Sequence, residues 1–117
     1  DEPETAMTIK AVYERHGYLC DTHTAVGLNC ALRYLGTAGD RRKIIVASTA
    51  SPYKFADNVY YSLTGKKSDS SLAALDDLYS FTGVKIPAPL SGIGKRKVRF
   101  TKSIDKDAMA KEVIESI

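Results

Sequence analysis

Two short segments of the sequence combine side chains that are able to bind an anionic ligand or a cofactor. The first begins at Asp21, a good N-cap residue, and places His23 and Thr24 in the first turn of a predicted helix. The free amide hydrogens and the dipole of such a turn favour an anion. The alternative is that Asp21 only caps the helix and that His23 only packs or forms hydrogen bonds, which is the commoner case.

The second segment follows the apolar run 43–47, which is predicted to be a buried strand. Ser48 and Thr49 come directly after this run, and open α/β sheets bind ligands in the crevice beyond the carboxyl ends of their strands. Ser51 is predicted to cap the next helix, and Lys54 lies in the first turn of that helix. A cation is unfavourable there unless an anion or a carboxylate is near. The alternative is a serine cap beside a solvated lysine.

The elements that position these segments are predicted to be mostly helical. Apolar residues recur at three- and four-residue spacing, and Gly and Pro mark the helix ends. The final helix is predicted to be capped by Ser103, with Met109, Val113 and Ile117 on one face. The five predicted helices cover residues 4–16, 21 to the 36–39 region, 51–64, 72–82 and 103–117.

One convincing strand is predicted at residues 43–47, because this run is short, β-branched and apolar on both faces. A short strand at 97–101 is a weaker candidate. A lone strand would bury unpaired backbone amides and carbonyls. We therefore expect the neighbouring strands to belong to another part of a longer chain or to another copy, and an exposed sheet edge would permit self-association. The predicted fold class is α/β.

Length and composition narrow the class of protein. A chain of 117 residues predicts one domain, and 44% hydrophobic with 26% charged residues excludes wholesale disorder. The net charge of +3 is too weak to indicate nucleic-acid binding. No apolar run approaches the roughly 20 residues of a membrane span. Cys20 and Cys30 predict two buried thiols in a reducing cytosol and no metal site. Because the first residue is Asp1, we expect a piece of a longer protein.

Taken together, the two segments resemble the threonine synthase family, in the branch typical of bacteria and fungi. That family carries the element GYxxDPHTAVG, then a hydrophobic strand that leads into STAHPxKF. Here the two elements are residues 17–27 and 48–55. The sequence departs from them at two positions, with Thr22 in place of the usual Pro and Ser51 in place of the usual His.

The resemblance implies the carboxyl-terminal portion of a cytoplasmic pyridoxal-phosphate enzyme with the tryptophan-synthase-β-like fold (fold type II). Such an enzyme is a lyase that converts O-phospho-L-homoserine and water to L-threonine and phosphate. Thr49 matches the family position whose hydroxyl meets the pyridine nitrogen of the cofactor, and Ser48 is the neighbouring candidate. The residues implied to border the same pocket are Asp21, His23, Thr24, Ser51 and Lys54, with Lys54 meeting a phosphate.

The lysine that binds the cofactor covalently lies far upstream in this family, and nothing in the sequence matches its motif. Residues 1–117 are therefore predicted to form a single carboxyl-terminal fragment that is inactive by itself. Its expected partners are the substrate and the missing amino-terminal part of the same chain, without nucleic acid or membrane.

Two other classes of function remain as alternatives. One is a stand-alone α/β module that captures a small anion at the helix start of Asp21 or Ser51. The other is a weak nucleic-acid-binding domain that uses the basic cluster 95–99 with Phe100. Such a cluster is more often a solvated loop.

Overall fold

Five α-helices dominate the computed structural model, which describes residues 1–39, 42–99 and 101–116. The prediction of a mostly helical chain with about five helices is confirmed. Three short 3₁₀ helices also occur, at Pro52–Phe55, Ile93–Lys95 and Lys106–Ala108. The α-helices are α1 (Glu2–His16), α2 (Thr22–Ala38), α3 (Ala56–Thr64), α4 (Ala73–Thr82) and α5 (Met109–Glu115).

Side-chain caps explain where the first helix begins and ends. The Asp1 carboxylate accepts a hydrogen bond from the Glu4 amide at 3.0 Å, and the Glu4 side chain bonds back to the Asp1 backbone. This capping box satisfies amides that the first turn would otherwise leave unpaired, so α1 begins two residues before the predicted start. Gly17 ends the helix with a φ of 64°, in the left-handed region that glycine adopts at little cost.

The strand predicted at 43–47 is not seen, and the prediction of one firm strand was wrong. This segment is irregular, and no described residue of the chain lies in a strand. A strand is held by hydrogen bonds to a neighbour, and the described residues provide none. Ile45 is 95% exposed, although its type and position predicted burial. The predicted sheet edge is therefore absent from this part of the chain.

Two predictions near the carboxyl end also differ from the structure. Residues 97–99 and Thr101 do not form a strand, while Phe100 lies outside the described residues. Ser103 does not cap the last helix, because a 3₁₀ turn with Asp105 at its N-cap position comes first and α5 begins only at Met109. Most helical stability comes from packing of an apolar face, and α5 packs mainly on that turn. Ile117 lies outside the described residues.

The hydrophobic core is formed by helices α1, α2, α3 and α4. Helix α1 packs against α2 and α3, and α3 packs against α4 and against the 3₁₀ turn that precedes it. Ile9, Val59 and Leu78, from α1, α3 and α4, are completely buried in this core. Three- and four-residue spacing of apolar side chains identified the buried faces of α1 and α3 correctly. For α4 the predicted face of Leu72, Leu75 and Tyr79 was wrong, because Leu72 and Tyr79 are exposed while Ala74 and Leu78 are buried. The other buried members are Leu19, Cys20, Ala25, Tyr53, Ala56, Leu63 and Ala74.

The overall shape is elongated. The radius of gyration is 18.4 Å and the principal extents are 58 × 34 × 24 Å, whereas a compact domain of this length has a radius of about 13 Å. Many large apolar side chains are exposed, among them Leu32, Ile45, Val98 and Ile114. No described helix is long and apolar enough to cross a membrane.

Tyr53 anchors the turn after α4 to the core. Its ring is buried and its hydroxyl donates a hydrogen bond to the Val84 carbonyl, and burial raises the pKa of this phenol above its ordinary value of 10.0. We expect Tyr53→Phe to lower the free energy of unfolding by about 1 kcal/mol, because the substitution leaves a carbonyl without its partner. Urea unfolding followed by far-UV circular dichroism measures this loss. The exposed Tyr61→Phe is the matched control, and equal effects of the two substitutions would contradict the anchoring role.

Candidate functional site

The start of α2 is organised by one buried carboxylate. Asp21 is 1% exposed, and its Oδ1 accepts hydrogen bonds from the amides of His23 at 2.9 Å and Thr24 at 3.2 Å. Its Oδ2 accepts a hydrogen bond from the Thr24 hydroxyl. Burial raises the pKa of Asp21, but the hydrogen bonds from Thr24 and His23 outweigh it and hold the pKa below the ordinary 3.8. The group is therefore an anion at neutral pH.

This cap also bears on the alternative of an anion-binding module. The amide hydrogens of His23 and Thr24 are already donated to Asp21. The carboxylate itself occupies the place where an external anion would bind. The alternative helix start at Ser51 leads only into the four-residue 3₁₀ turn Pro52–Phe55. Neither helix start therefore presents the free amides that an anion site needs.

The segment that precedes Ser48 crosses the same end of α2. A Cβ placed on Gly27 would lie 3.2 Å from Cγ1 of Val46, so only a glycine at this position allows the observed approach without displacement. Thr24 lies one turn earlier on the same face of the helix, and its Oγ1 is 3.0 Å from Oγ of Ser48. The small residue at position 27 thus permits the contact that the hydroxyls at positions 24 and 48 then fix.

A second residue holds Ser48 from the other side. The Tyr18 hydroxyl lies 3.2 Å from Oγ of Ser48. Tyr18 was not among the predicted site residues, so the sequence did not reveal this role of its hydroxyl. The signal that was available is its position three residues before the cap, inside the first of the two motifs. We name Tyr18, Ser48, Thr24 and Asp21 the hydroxyl chain.

Thr49 is exposed and lies next to the hydroxyl chain. Its hydroxyl forms no hydrogen bond with any residue that the structure describes. Ser48, its neighbour, is exposed as a residue but has two hydroxyl partners. Of the two candidates for contact with a cofactor, Thr49 is therefore the one whose hydroxyl hydrogen is uncommitted.

The basic side chains of both motifs meet around one aromatic ring. The His23 ring lies 5.1 Å from the ring of Phe55, and Nζ of Lys54 lies 5.3 Å from the centre of the same ring. Lys54 is exposed and forms no ion pair within the described residues. The His23 side chain is 73% exposed, with its Nδ1 3.6 Å from Oδ1 of Asp21. Phe55 was not among the predicted site residues.

Ser51 has the predicted capping role. Its Oγ accepts a hydrogen bond from the Tyr53 amide at 3.2 Å, and Pro52 follows as the first residue of the 3₁₀ turn. The prediction of an α-helix directly after Ser51 was wrong by one turn, because α3 begins only at Ala56.

Features away from these motifs do not add to the site. A surface groove of about 490 Å³ between α1 and α2 has Met7, Leu32 and Arg33 among its lining residues and none of the predicted site residues. The described residues contain no group of three or more His, Cys, Asp or Glu that could hold a metal ion. Both cysteines are free thiols. Cys20 is buried, which raises its pKa, whereas Cys30 is exposed, so the prediction that both are buried was wrong for Cys30.

Comparison with known proteins connects these motifs to one family. The family model described as "Threonine synthase, C-terminal" matches residues 24–114. The threonine synthase of Saccharomyces cerevisiae is 32% identical over 122 aligned positions that cover 97% of this chain. The threonine synthase of Schizosaccharomyces pombe is 30% identical over 93% of the chain, and that of Methylobacillus glycogenes is 43% identical over 62% of it.

The chain is much shorter than these relatives. It covers 22% of the Saccharomyces protein, 21% of the Schizosaccharomyces protein and 15% of the Methylobacillus protein. Similarity therefore extends over nearly the whole of this chain in the two yeast proteins and over 62% of it in the Methylobacillus protein, and in each case over less than a quarter of the relative.

Proposed function

Because this chain belongs to the threonine synthase family and matches its C-terminal domain, we propose that residues 1–117 are a single carboxyl-terminal part of a longer pyridoxal-phosphate enzyme. In this proposal, the chain supplies one wall of the active site within fold type II. The lysine that binds the cofactor is expected in the longer chain. The share of each relative that the chain covers, 15–22%, supports this division.

The proposed reaction is the conversion of O-phospho-L-homoserine and water to L-threonine and phosphate in the cytoplasm. When bound, pyridoxal phosphate supplies an electron sink for the carbanions of such a reaction. In our proposal, Thr49 holds the ring nitrogen with a neutral hydroxyl, which donates a hydrogen bond without protonating that nitrogen. The single observation that supports this role is the exposed Thr49 hydroxyl, which has no partner among the described residues.

The other predicted residues are proposed to shape the wall around Thr49. Asp21 and Thr24 fix the first turn of α2 by the hydrogen bonds described above. Ser51 caps the turn that carries Lys54. The exposed ammonium of Lys54 lies near the Phe55 ring, as does the His23 ring, and is proposed to meet the phosphate group of the substrate as a point charge.

Assay of the full-length enzyme tests the proposed function. We expect phosphate and L-threonine to appear in a one-to-one ratio from O-phospho-L-homoserine, and only when pyridoxal phosphate is present. Homoserine without its phosphate is the matched control substrate, because its hydroxide leaving group is far poorer. Phosphate release without threonine would indicate a phosphatase and would contradict the proposal.

Lys54→Ala in the full-length enzyme is expected to lower kcat/KM for O-phospho-L-homoserine about tenfold, with a contribution from kcat as well as from KM. The reason is that the phosphate is the leaving group, so the ammonium binds it in the substrate and also stabilises the negative charge that it gains as the C–O bond breaks. Steady-state kinetics measure both constants. Lys54→Arg keeps the charge and should retain most of the affinity. An unchanged kcat/KM in Lys54→Ala would remove Lys54 from phosphate binding.

A further inference from the structure

The hydroxyl chain has a fixed direction of hydrogen bonding. Asp21 is ionised and can only accept, so the single hydrogen of the Thr24 hydroxyl points at Oδ2 of Asp21. Thr24 Oγ1 must then accept in its 3.0 Å contact with Ser48, whose hydroxyl donates. Ser48 in turn accepts from the Tyr18 hydroxyl at 3.2 Å. Each hydroxyl donates once, in the order Tyr18, Ser48, Thr24, Asp21.

This order commits the Ser48 hydrogen to Thr24. An unprotonated ring nitrogen has a lone pair and can only accept. Ser48 would therefore have to abandon Thr24, which is 5% exposed, in order to serve such a nitrogen. Breaking that bond would leave the Thr24 oxygen short of a partner in a buried position, which is costly.

From this order we propose that Tyr18, Thr24 and Asp21 are positioning residues. They lock Ser48 against the start of α2 and so present the adjacent Thr49 hydroxyl as the donor to the cofactor nitrogen. This inference rests on the proposed function, since it concerns the same wall of the site. Small displacements of a positioned group lower the rate of a reaction by up to about 100-fold, and Ser48 is held on both sides while Thr49 is not.

Thr24→Val in the full-length enzyme is the first test. It removes the hydroxyl and keeps the shape of the side chain. We expect kcat to fall about 10- to 100-fold. We also expect the visible absorption maximum of bound pyridoxal phosphate to shift in the same direction in Thr24→Val as in Thr49→Val. Thr24→Ser restores the hydroxyl and should restore both the rate and the absorption spectrum. Thr8→Val removes a hydroxyl that bonds only to its own helix, at the Glu4 carbonyl, and serves as the control.

A double-mutant cycle separates this inference from the proposed function. If Thr24 acts through Thr49, Thr24→Val should lower kcat less than about threefold when residue 49 has already been changed by Thr49→Val. Equal losses in both backgrounds would overturn the positioning role and leave the proposed function intact. Wild-type rate and absorption spectrum in Thr49→Val alone would instead overturn the proposed role of Thr49.

Tyr18→Phe keeps the inference testable where Thr24→Val does not fold. Tyr18 is 47% exposed, so loss of its hydroxyl leaves the core intact. We expect the same direction of spectral shift with a smaller amplitude, because Ser48 keeps its bond to Thr24. An unchanged spectrum and an unchanged affinity for pyridoxal phosphate in Tyr18→Phe would remove Tyr18 from the chain of positioning residues.

Discussion

Thr49→Val in the full-length enzyme is expected to lower kcat about 100-fold, the scale observed when one preorganised donor is removed from an active site. Valine has nearly the same shape as threonine and cannot donate a hydrogen bond. The wall of the site therefore stays in place while the proposed hydrogen bond to the ring nitrogen is lost. Because the cofactor is held covalently elsewhere in our proposal, its affinity should fall much less than kcat. Steady-state kinetics and titration with pyridoxal phosphate measure the two effects.

Thr49→Ser is the matched control for this substitution. It keeps the hydroxyl and deletes only a methyl group, so activity within a few-fold of the wild type is expected. A Thr49→Val enzyme with wild-type kcat would show that the hydroxyl has no part in the reaction. Equal losses in the serine and valine variants would assign the effect to packing.

Asp21→Ala is expected to produce the largest loss of stability, about 3 kcal/mol in the free energy of unfolding. Loss of an N-cap costs about 1 kcal/mol. The substitution also leaves the Thr24 hydroxyl without its acceptor in a buried place, which adds about 2 kcal/mol. Urea unfolding of the chain at pH 7, followed by far-UV circular dichroism, measures the sum.

Asp21→Asn and pH separate the charge of Asp21 from its hydrogen bonds. Because the folded pKa lies below the ordinary 3.8, the stability that ionised Asp21 contributes is fully present above that pH. It is lost as the pH falls through the lower, folded value. The Asn variant keeps one acceptor for the two amides, so its free energy of unfolding should fall by about half as much as that of the Ala variant. Its unfolding free energy should also be less sensitive to pH below 4, and the same acid sensitivity in both proteins would contradict this account.

Local chemistry explains why the helices could be predicted. The Asp21 cap and the glycine that ends α1 act within a few residues, and the apolar spacing of α3 reports its buried face directly. The Ser51 cap was correct for the same reason, although the turn it starts is 3₁₀ rather than α. These features depend on the chain immediately around them and need no distant partner.

The strand prediction failed because a strand depends on hydrogen bonds to segments that are distant in the sequence. Residue type and hydrophobicity at 43–47 describe a segment that needs neighbours, and the described part of the chain contains no strand to pair with it. The hydroxyl chain was missed for a related reason. Tyr18 and Ser48 are 30 residues apart in the sequence, and their contact accompanies the close approach of residue 46 to Gly27. The motifs identified Asp21, Thr24 and Ser48 separately, without the bonds that connect them.

The exposed Ile45 has a practical consequence for anyone who produces these residues in bacteria. Ile45 and Ile44 are adjacent exposed apolar residues in a segment whose backbone is not paired in a sheet. Such a segment promotes aggregation into inclusion bodies. Co-expression with the rest of the proposed longer chain should improve the yield of soluble protein, and Ile45→Lys should improve the yield of residues 1–117 expressed alone.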